Sequence, residues 1–422
     1  MKAVQHEICI VGGGMVGAPL AIVLAQLGFD VALVEAKPPH AHCSPSFDDR
    51  CLALSHGSIS ILSALGLWSD LQSLATPIHD ILVCEQQGLG QHRISSKDRG
   101  VSALGEVISA RSGGEVMWRA LQAGQASVYA PMSLNGLRRE HNIWQVQLNG
   151  TEDHAVAITA ELVIAADGQH SRTRTMAGIE VSERHYGQSA VIANVRTDQP
   201  HESRALELFR PDGPLALLPF SDHWSLVYTI PDERLAEALS WEDETFLAQL
   251  QAEVGWRYGK FLALSERRGY PLRLTLANRI AVPGLWLAGN AAHSIHPIAG
   301  QGFNLGLRDV AWIVELLLWA RHQGLSLSGP ELAEQYCRTR KPDIARMATL
   351  TDWLARGFRP QLPGAKMVRS LLLSGLGLCP LADEWVARTA MGQQPPVPWL
   401  AAGLSLEEVK DEVTYGCSAA GC

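Results

Sequence analysis

Three textures of apolar and polar positions follow one another along the chain. Near the start, the run Glu7–Val11, a glycine turn, an apolar stretch Gly14–Leu27 closed by Gly28, and a second run Asp30–Glu35 predict strand, helix and strand. That order builds a parallel sheet. Pro19 falls about one turn into the helix and predicts a kink there. From about Val181, the short runs AVIANVRT, ALELF, PLALLPF and WSLVYTI are split by PDG and SD turns, which predicts an antiparallel sheet in a second domain. After Arg279 the buried-strand pattern returns in GLWLAGN, and a long helix follows from about Gln301 to Trp319. The first domain is therefore expected to be discontinuous. Residues 330–393 have helical periodicity, and QQPPVPWL breaks it before a tail without a clear pattern.

At 422 residues the chain can form two or three compact units with real interiors. Its net charge of -8 argues against nucleic acid as the main partner, because phosphate binding needs concentrated Lys and Arg. Eight cysteines are scattered without a Cys-x-x-Cys pair, which fits a reducing cytoplasm. The N-terminus enters a strand without a basic region and cleavage site, so no signal peptide is expected. The apolar runs near Val310–Ala320 and Leu371–Ala382 are interrupted or fall short of the roughly 18 to 20 residues a membrane span needs.

Three segments carry candidate chemistry. Gly12, Gly14 and Gly17 match G-x-G-x-x-G between a predicted strand and helix, where glycine permits a tight turn, backbone approach to a pyrophosphate and close helix packing. Glu35 ends the next strand and can accept hydrogen bonds from both ribose hydroxyls, which favours FAD or NAD over NADP. In mid-chain, the strand LVIAA (Leu162–Ala166) runs into DGQHSRTR, which on its own also reads as an Asp-Gly turn before a Ser-capped helix. The third segment is LAGNAAHSIHPIAGQGFNLGLRD, Leu287 to Asp309, where a metal, an anion and a flat ring are all candidates. His293 and His296 lack a neighbouring Cys, Asp or Glu, so loop hydrogen bonding is favoured over metal ligation and no metal site is expected.

Taken in order, G-x-G-x-x-G, D-G-x-x-S-x-x-R and G-N-A-A-H-x-x-x-P-x-x-G-Q-G-x-N resemble the single-component FAD-dependent aromatic hydroxylases. The likeness is strongest to the ubiquinone-biosynthesis hydroxylases and, among these, to the branch acting on polyprenyl methoxyphenols. DDRCLALSHGSISIL, AVIANV, GPLALLP and RTAMG extend it over about 390 residues. The resemblance implies an α/β fold like that of para-hydroxybenzoate hydroxylase: a Rossmann-like FAD-binding domain, an inserted antiparallel sheet over the substrate, and a C-terminal helical region. The expected boundaries are 1–75, 101–180 and 276–345 for the FAD domain, 76–100 and 181–275 for the substrate domain, 346–393 for the helices and 394–422 for a tail of unknown role.

By the same resemblance, Gly12, Gly14 and Gly17 would hold the FAD pyrophosphate, Glu35 the adenosine ribose, Arg50 the cofactor's flank, and Asp167 the pyrophosphate and nicotinamide side. Arg174 would anchor the middle motif. Gly289, Asn290, Gly302, Phe303 and Asn304 would line the flavin, with Asn290, where relatives usually carry Asp, on the ribityl chain. Pro297, Gly300, Gln301 and Gly302 would form the catalytic floor, the helix N-terminus facing the anionic edge of reduced flavin and the Pro297 carbonyl facing the reacting ring. Glu115 stands where relatives carry Gln or Arg, and is expected to point away from the phosphates or to yield that contact to Arg111 or Arg119.

The implied reaction uses NAD(P)H and dioxygen, through a flavin C(4a)-hydroperoxide, to hydroxylate a polyprenyl phenol of the 2-polyprenyl-6-methoxyphenol type in ubiquinone biosynthesis. Alternatives are a related flavoprotein epoxidase or prenyl reductase, or a non-catalytic FAD- or lipid-binding subunit of the biosynthetic complex. Residues 353–376 hold Arg356, Arg359, Lys366 and Arg369, no acids, and many apolar side chains. They fit either peripheral contact with the inner face of a membrane, or a partner protein, or an ordinary solvated helix face over a core.

Overall fold

The computed structural model describes residues 3–38, 50–150, 155–358 and 365–414. The first of its sheets has eight strands, with a parallel centre in the order Leu285–Leu287, Ala155–Ala165, Val4–Val11, Val31–Val34 and Ser127–Tyr129. Ile8–Val11 stand in register with Leu162–Ala165 on one side and Val31–Val34 on the other, so these strands end together at one edge. Ile8, Cys9, Ile10, Leu33 and Val163 are all fully buried. Both sheet faces are thus covered, which is why these runs read as continuously apolar. Helix Gly17–Gln26 follows the first strand, and Pro19 is its third residue, where an N–H has no partner inside a helix. Its presence there needs no kink, contrary to the sequence expectation.

The second sheet has nine strands, among them Val181–Thr197, Arg204–Phe209, Leu215–Phe220, His223–Pro231 and Arg268–Ala277. Its pairs are antiparallel except one: Asp80–Glu85 lies parallel to Arg204–Phe209, a long-range pairing that local turns could not announce. His293–Ser294, from the third motif, adds two residues to the edge of this sheet beside Thr275 and Leu276. The motif is thereby tied to both sheets.

A third sheet of three short strands, Cys51–Ser55, Gly105–Ser109 and Thr76–Ile78, lies outside the sequence expectation. The 345/346 boundary fails as a break, because helix Pro330–Gly357 runs through it. The described part of the tail is not an appendage either. Helices Trp399–Ala402 and Leu406–Thr414 bury Leu400, Ala401, Val409 and Val413 in the core of the first sheet. Arg359, in the basic stretch, lies outside the described residues.

Candidate active site

All three sequence motifs meet at the edge where the parallel strands end. Gly12, with φ +105°, follows the first strand and donates its N–H to Val34 O at 2.8 Å. A Cβ at Gly12 would stand 2.4 Å from Ala166 O, and one at Gly17 only 1.9 Å from Gly12 O. Gly289 and Gly306 both back onto the Val16 side chain, and Gly300, at φ +61°, meets Ala53. Packing within the chain is reason enough for these five glycines. Gly14 and Gly302 differ, since a Cβ on either would have nothing within 4 Å. Two glycines from separate motifs therefore face open space, which is the cradle a closely approaching flat ligand requires.

Polar capacity sorts the remaining candidates. Glu35 accepts from Gly13 N at 2.6 Å through one oxygen and from Lys37 N at 2.7 Å through the other. Each oxygen keeps a lone pair, enough for two ribose hydroxyls. Asp167 accepts from Ser171 Oγ at 2.5 Å and from Thr173 N and Oγ1 at 3.0 and 2.9 Å. Ser171 in turn caps helix Arg172–Met176 by accepting from Arg174 N at 2.9 Å. The capped-turn reading of this segment is therefore realised. Arg174 donates to Gln169 O and to Ala291 O, fastening the middle motif to the third. Asn290 is exposed in the turn Gly289–Ala291 and makes no hydrogen bond with a described residue.

One expectation needs correction. Asn304 spends its whole side chain on the protein: Oδ1 accepts from Ser55 N and Ser58 Oγ, and Nδ2 donates to Ala53 O and Gly300 O, all within 3.0 Å. No donor or acceptor is left for a cofactor, so its side chain ties the glycine loop to strand Cys51–Ser55. The Pro297 carbonyl accepts from Gly300 N at 2.9 Å, closing a 3-10 turn, and keeps its second lone pair. Arg50 is exposed just before the same strand, and its carbonyl accepts from Ala110 N. Gln301 is buried, while Gly302 and Phe303 are half-buried in the first turn of helix Gln301–His322. The N–H groups of that turn have no acceptor within the helix. Glu115 is half-buried in helix Ala110–Ala123, with Oε1 enclosed and without a hydrogen-bond partner among the described residues.

Beneath the loop lies an ionic network that sequence reasoning missed. Asp309, fully buried, accepts from Gly289 N at 2.8 Å, His293 Nε2 at 2.7 Å and Arg340 Nε at 2.7 Å. Arg340 continues to Asp343 at 2.5 Å, which also meets Arg308 at 3.2 Å. Burial alone would raise the Asp309 pKa, but the Arg340 guanidinium and His293 hold it below the ordinary carboxylate value. His293 thus has the acidic partner it lacked in sequence, and among the described residues no group of His, Cys, Asp and Glu is arranged for a metal. The available signal was a charged pair, Arg308-Asp309, inside the largely apolar LGLRDVAWIVELLLW. On the far side of the loop, the Tyr186 ring meets His296 edge-on at 5.0 Å, and burial with Asp352 nearby pushes its hydroxyl pKa up to about 12.

Comparison with known proteins places this geometry. A family described as FAD binding domain matches residues 5–351. The chain is 33% identical over 406 residues to a ubiquinone hydroxylase, UbiL, of Rhodospirillum rubrum, covering 95% of this chain and 93% of that protein. It is 34% identical over 392 residues to the 3-demethoxyubiquinol 3-hydroxylase of Escherichia coli, covering 92% and 98%. Among solved structures, p-nitrophenol 4-monooxygenase PnpA of Pseudomonas putida superposes with a TM-score of 0.74 at 17% identity, covering 93% of this chain and all of the other.

Proposed function

The chain belongs to the FAD-dependent hydroxylases of ubiquinone biosynthesis, and on that premise we propose that it hydroxylates the ring of a polyprenyl phenol of the 2-polyprenyl-6-methoxyphenol type, using NAD(P)H and dioxygen. Bound FAD supplies the redox and oxygen-transfer chemistry, which leaves the protein to bind, orient and exclude water. In this reading Gly12, Gly14 and Gly17 receive the pyrophosphate, and Glu35 turns its spare lone pairs to the adenosine ribose. Asp167 shapes the turn beside them, and Arg50 flanks the cofactor from the strand entry. Asn290, exposed and uncommitted, would hold the ribityl chain.

Gly302 would leave room for the ring against the backbone, and the N–H groups of Gln301, Gly302 and Phe303 with the helix dipole would stabilise negative charge on it. Gly300 and Pro297 set the path of the loop, and Asn304 fastens it. His296 and Tyr186 stand where the loop meets the second sheet, suited to contact with a phenol. The observation that carries the reading is the pair of open-faced glycines, Gly14 and Gly302, in motifs nearly 300 residues apart.

A second substrate, a demethoxyubiquinol, is favoured by the name of the Escherichia coli relative. Deleting the gene and identifying the accumulated quinone precursor tests both. A 2-polyprenyl-6-methoxyphenol supports the first, a demethoxyubiquinol the second, and an unaltered quinone pool refutes both.

A further inference from the structure

The second sheet is sealed on one face and open on the other. In three neighbouring strands the outward residues, Leu206 and Leu208, Leu215 and Leu217, Leu226 and Tyr228, are buried in one cluster with Phe246 and Leu250 of helix Asp243–Val254. Strand alternation turns the residues between them to the inner face. There Val83, Glu207, Ala216, Val227 and Ile192 form a single row across five strands, each in register with the next. Val83, Val227 and Ile192 pack against the core of the first domain, so this is the face turned toward the three motifs. All five residues are nevertheless only half-buried. Partial access at the middle of a nine-stranded sheet, between two domains, marks a cleft.

The loop of the third motif lies against this face. Ala53 packs in one cluster with Ala205, Leu218 and Phe220 of the inner face, and a Cβ on Gly300 would stand 3.1 Å from the Ala53 Cβ. Ala205 precedes Glu207 by two positions on the same face, so the row runs beside the point where sheet and loop touch. Four of its five members are apolar, and Glu207 alone carries a charge. An ionised carboxylate in such surroundings accepts strongly from a hydroxyl brought against it. We propose that Glu207 is a catalytic residue of the hydroxylation, accepting the hydrogen bond of the substrate's ring hydroxyl and then its proton. Oxygen reaches the ring as the electrophile that bound flavin and dioxygen supply. The ring carbon gives an electron pair to the new C–O bond, the phenolic O–H breaks, and its proton passes to Glu207, leaving a ring ketone. As the ring regains aromaticity, the proton on the oxygenated carbon leaves and neutralises the anion left by oxygen transfer. Glu207 then returns its proton to the ring oxygen.

The proposal rests on the polyprenyl-phenol reading for the identity of the substrate. The FAD-loaded full chain is titrated with a soluble short-chain methoxyphenol and with its O-methyl ether, which has the same ring but no proton to donate. Wild type is expected to bind the phenol about tenfold or more tightly than the ether, as a hydrogen bond to a charged acceptor warrants. Glu207→Leu should bind the two alike. Glu207→Gln keeps an acceptor oxygen but not the base, so kcat for hydroxylation should fall about 100-fold while KM moves less than about fivefold. Hydroxylation by Glu207→Gln at the wild-type rate, or a phenol preference that persists in Glu207→Leu, overturns the proposal and leaves the substrate reading standing. Loss of FAD from both variants with the preference intact assigns the carboxylate to the fold and also overturns it. A wild type that binds neither ligand fells the substrate reading, and the proposal with it.

Discussion

Replacing Gly14 and Gly302 singly by alanine separates folding from cofactor binding. Neither residue has a positive φ, and the added Cβ meets nothing within 4 Å, so the apoprotein should be unchanged or gain up to ~1 kcal/mol from the lower backbone freedom of alanine. A ring or pyrophosphate laid against the bare Cα would instead collide with the new methyl. Forced overpacking of this kind costs about 1 to 3 kcal/mol, which corresponds to roughly 5- to 150-fold in Kd. Apoprotein stability is read by urea unfolding and FAD affinity by quenching of flavin fluorescence. Gly17→Ala provides the contrast, because its Cβ would lie 1.9 Å from Gly12 O and should compromise the fold itself. If both Gly14→Ala and Gly302→Ala bind FAD as wild type does, the open faces are not cofactor contacts and the site assignment fails.

Asp309→Asn should destabilise the protein by about 3 kcal/mol, since it removes one of the two carboxylates that pair the buried Arg340 and the one His293 meets; unfolding within 1 kcal/mol of wild type would contradict the network's role. Asp309 has a depressed folded pKa, so its contribution is present above the unfolded carboxylate value and is lost as pH falls through the folded one. Glu315 behaves oppositely: burial pushes its pKa up to about 8, with partial relief from the backbone N–H groups of Leu400 and Trp399. The folded state then binds the proton more tightly than the unfolded one, so stability falls from about pH 4.5 upward and levels off above about pH 8. Glu315→Gln should flatten that slope in pH-dependent unfolding, and an unaltered slope would remove Glu315 as its source. Asn290→Asp should keep FAD affinity within about fivefold, as an acceptor oxygen is retained; complete loss of FAD counts against a ribityl hydrogen bond.

The parallel strands and the long helix were legible because burial on both faces leaves an unbroken apolar run, and because Gly12 and Gly28 punctuate them. Strand Cys51–Ser55 and its partners were not, being short and of mixed burial, with a pairing partner some fifty residues away. The pairing of Asp80–Glu85 with Arg204–Phe209 is equally silent, since register between distant segments leaves no local mark. The three motifs meet at one sheet edge, yet Asn304 shows the limit of sequence: the motif gives the position of an amide, and only geometry reveals that Ser55, Ser58, Ala53 and Gly300 consume it. Asp309 was hidden for the converse reason, because its partners come from Gly289, His293 and a separate helix.

The tucked position of Leu406–Thr414 has a consequence for how the molecule comes into being. Val163 pairs with Leu285, and Val409 and Val413 fill the same interior, so segments far apart in the sequence must meet before that interior is dry. Contacts between such distant segments make assembly slow, and synthesis from the N-terminus delivers the closing piece late. Early intermediates therefore carry Gly12 and Glu35 on an unfinished scaffold. The glycine turn of the first motif exists as sequence long before anything holds it in place, and the loop of the third motif and its support follow nearly together, much later.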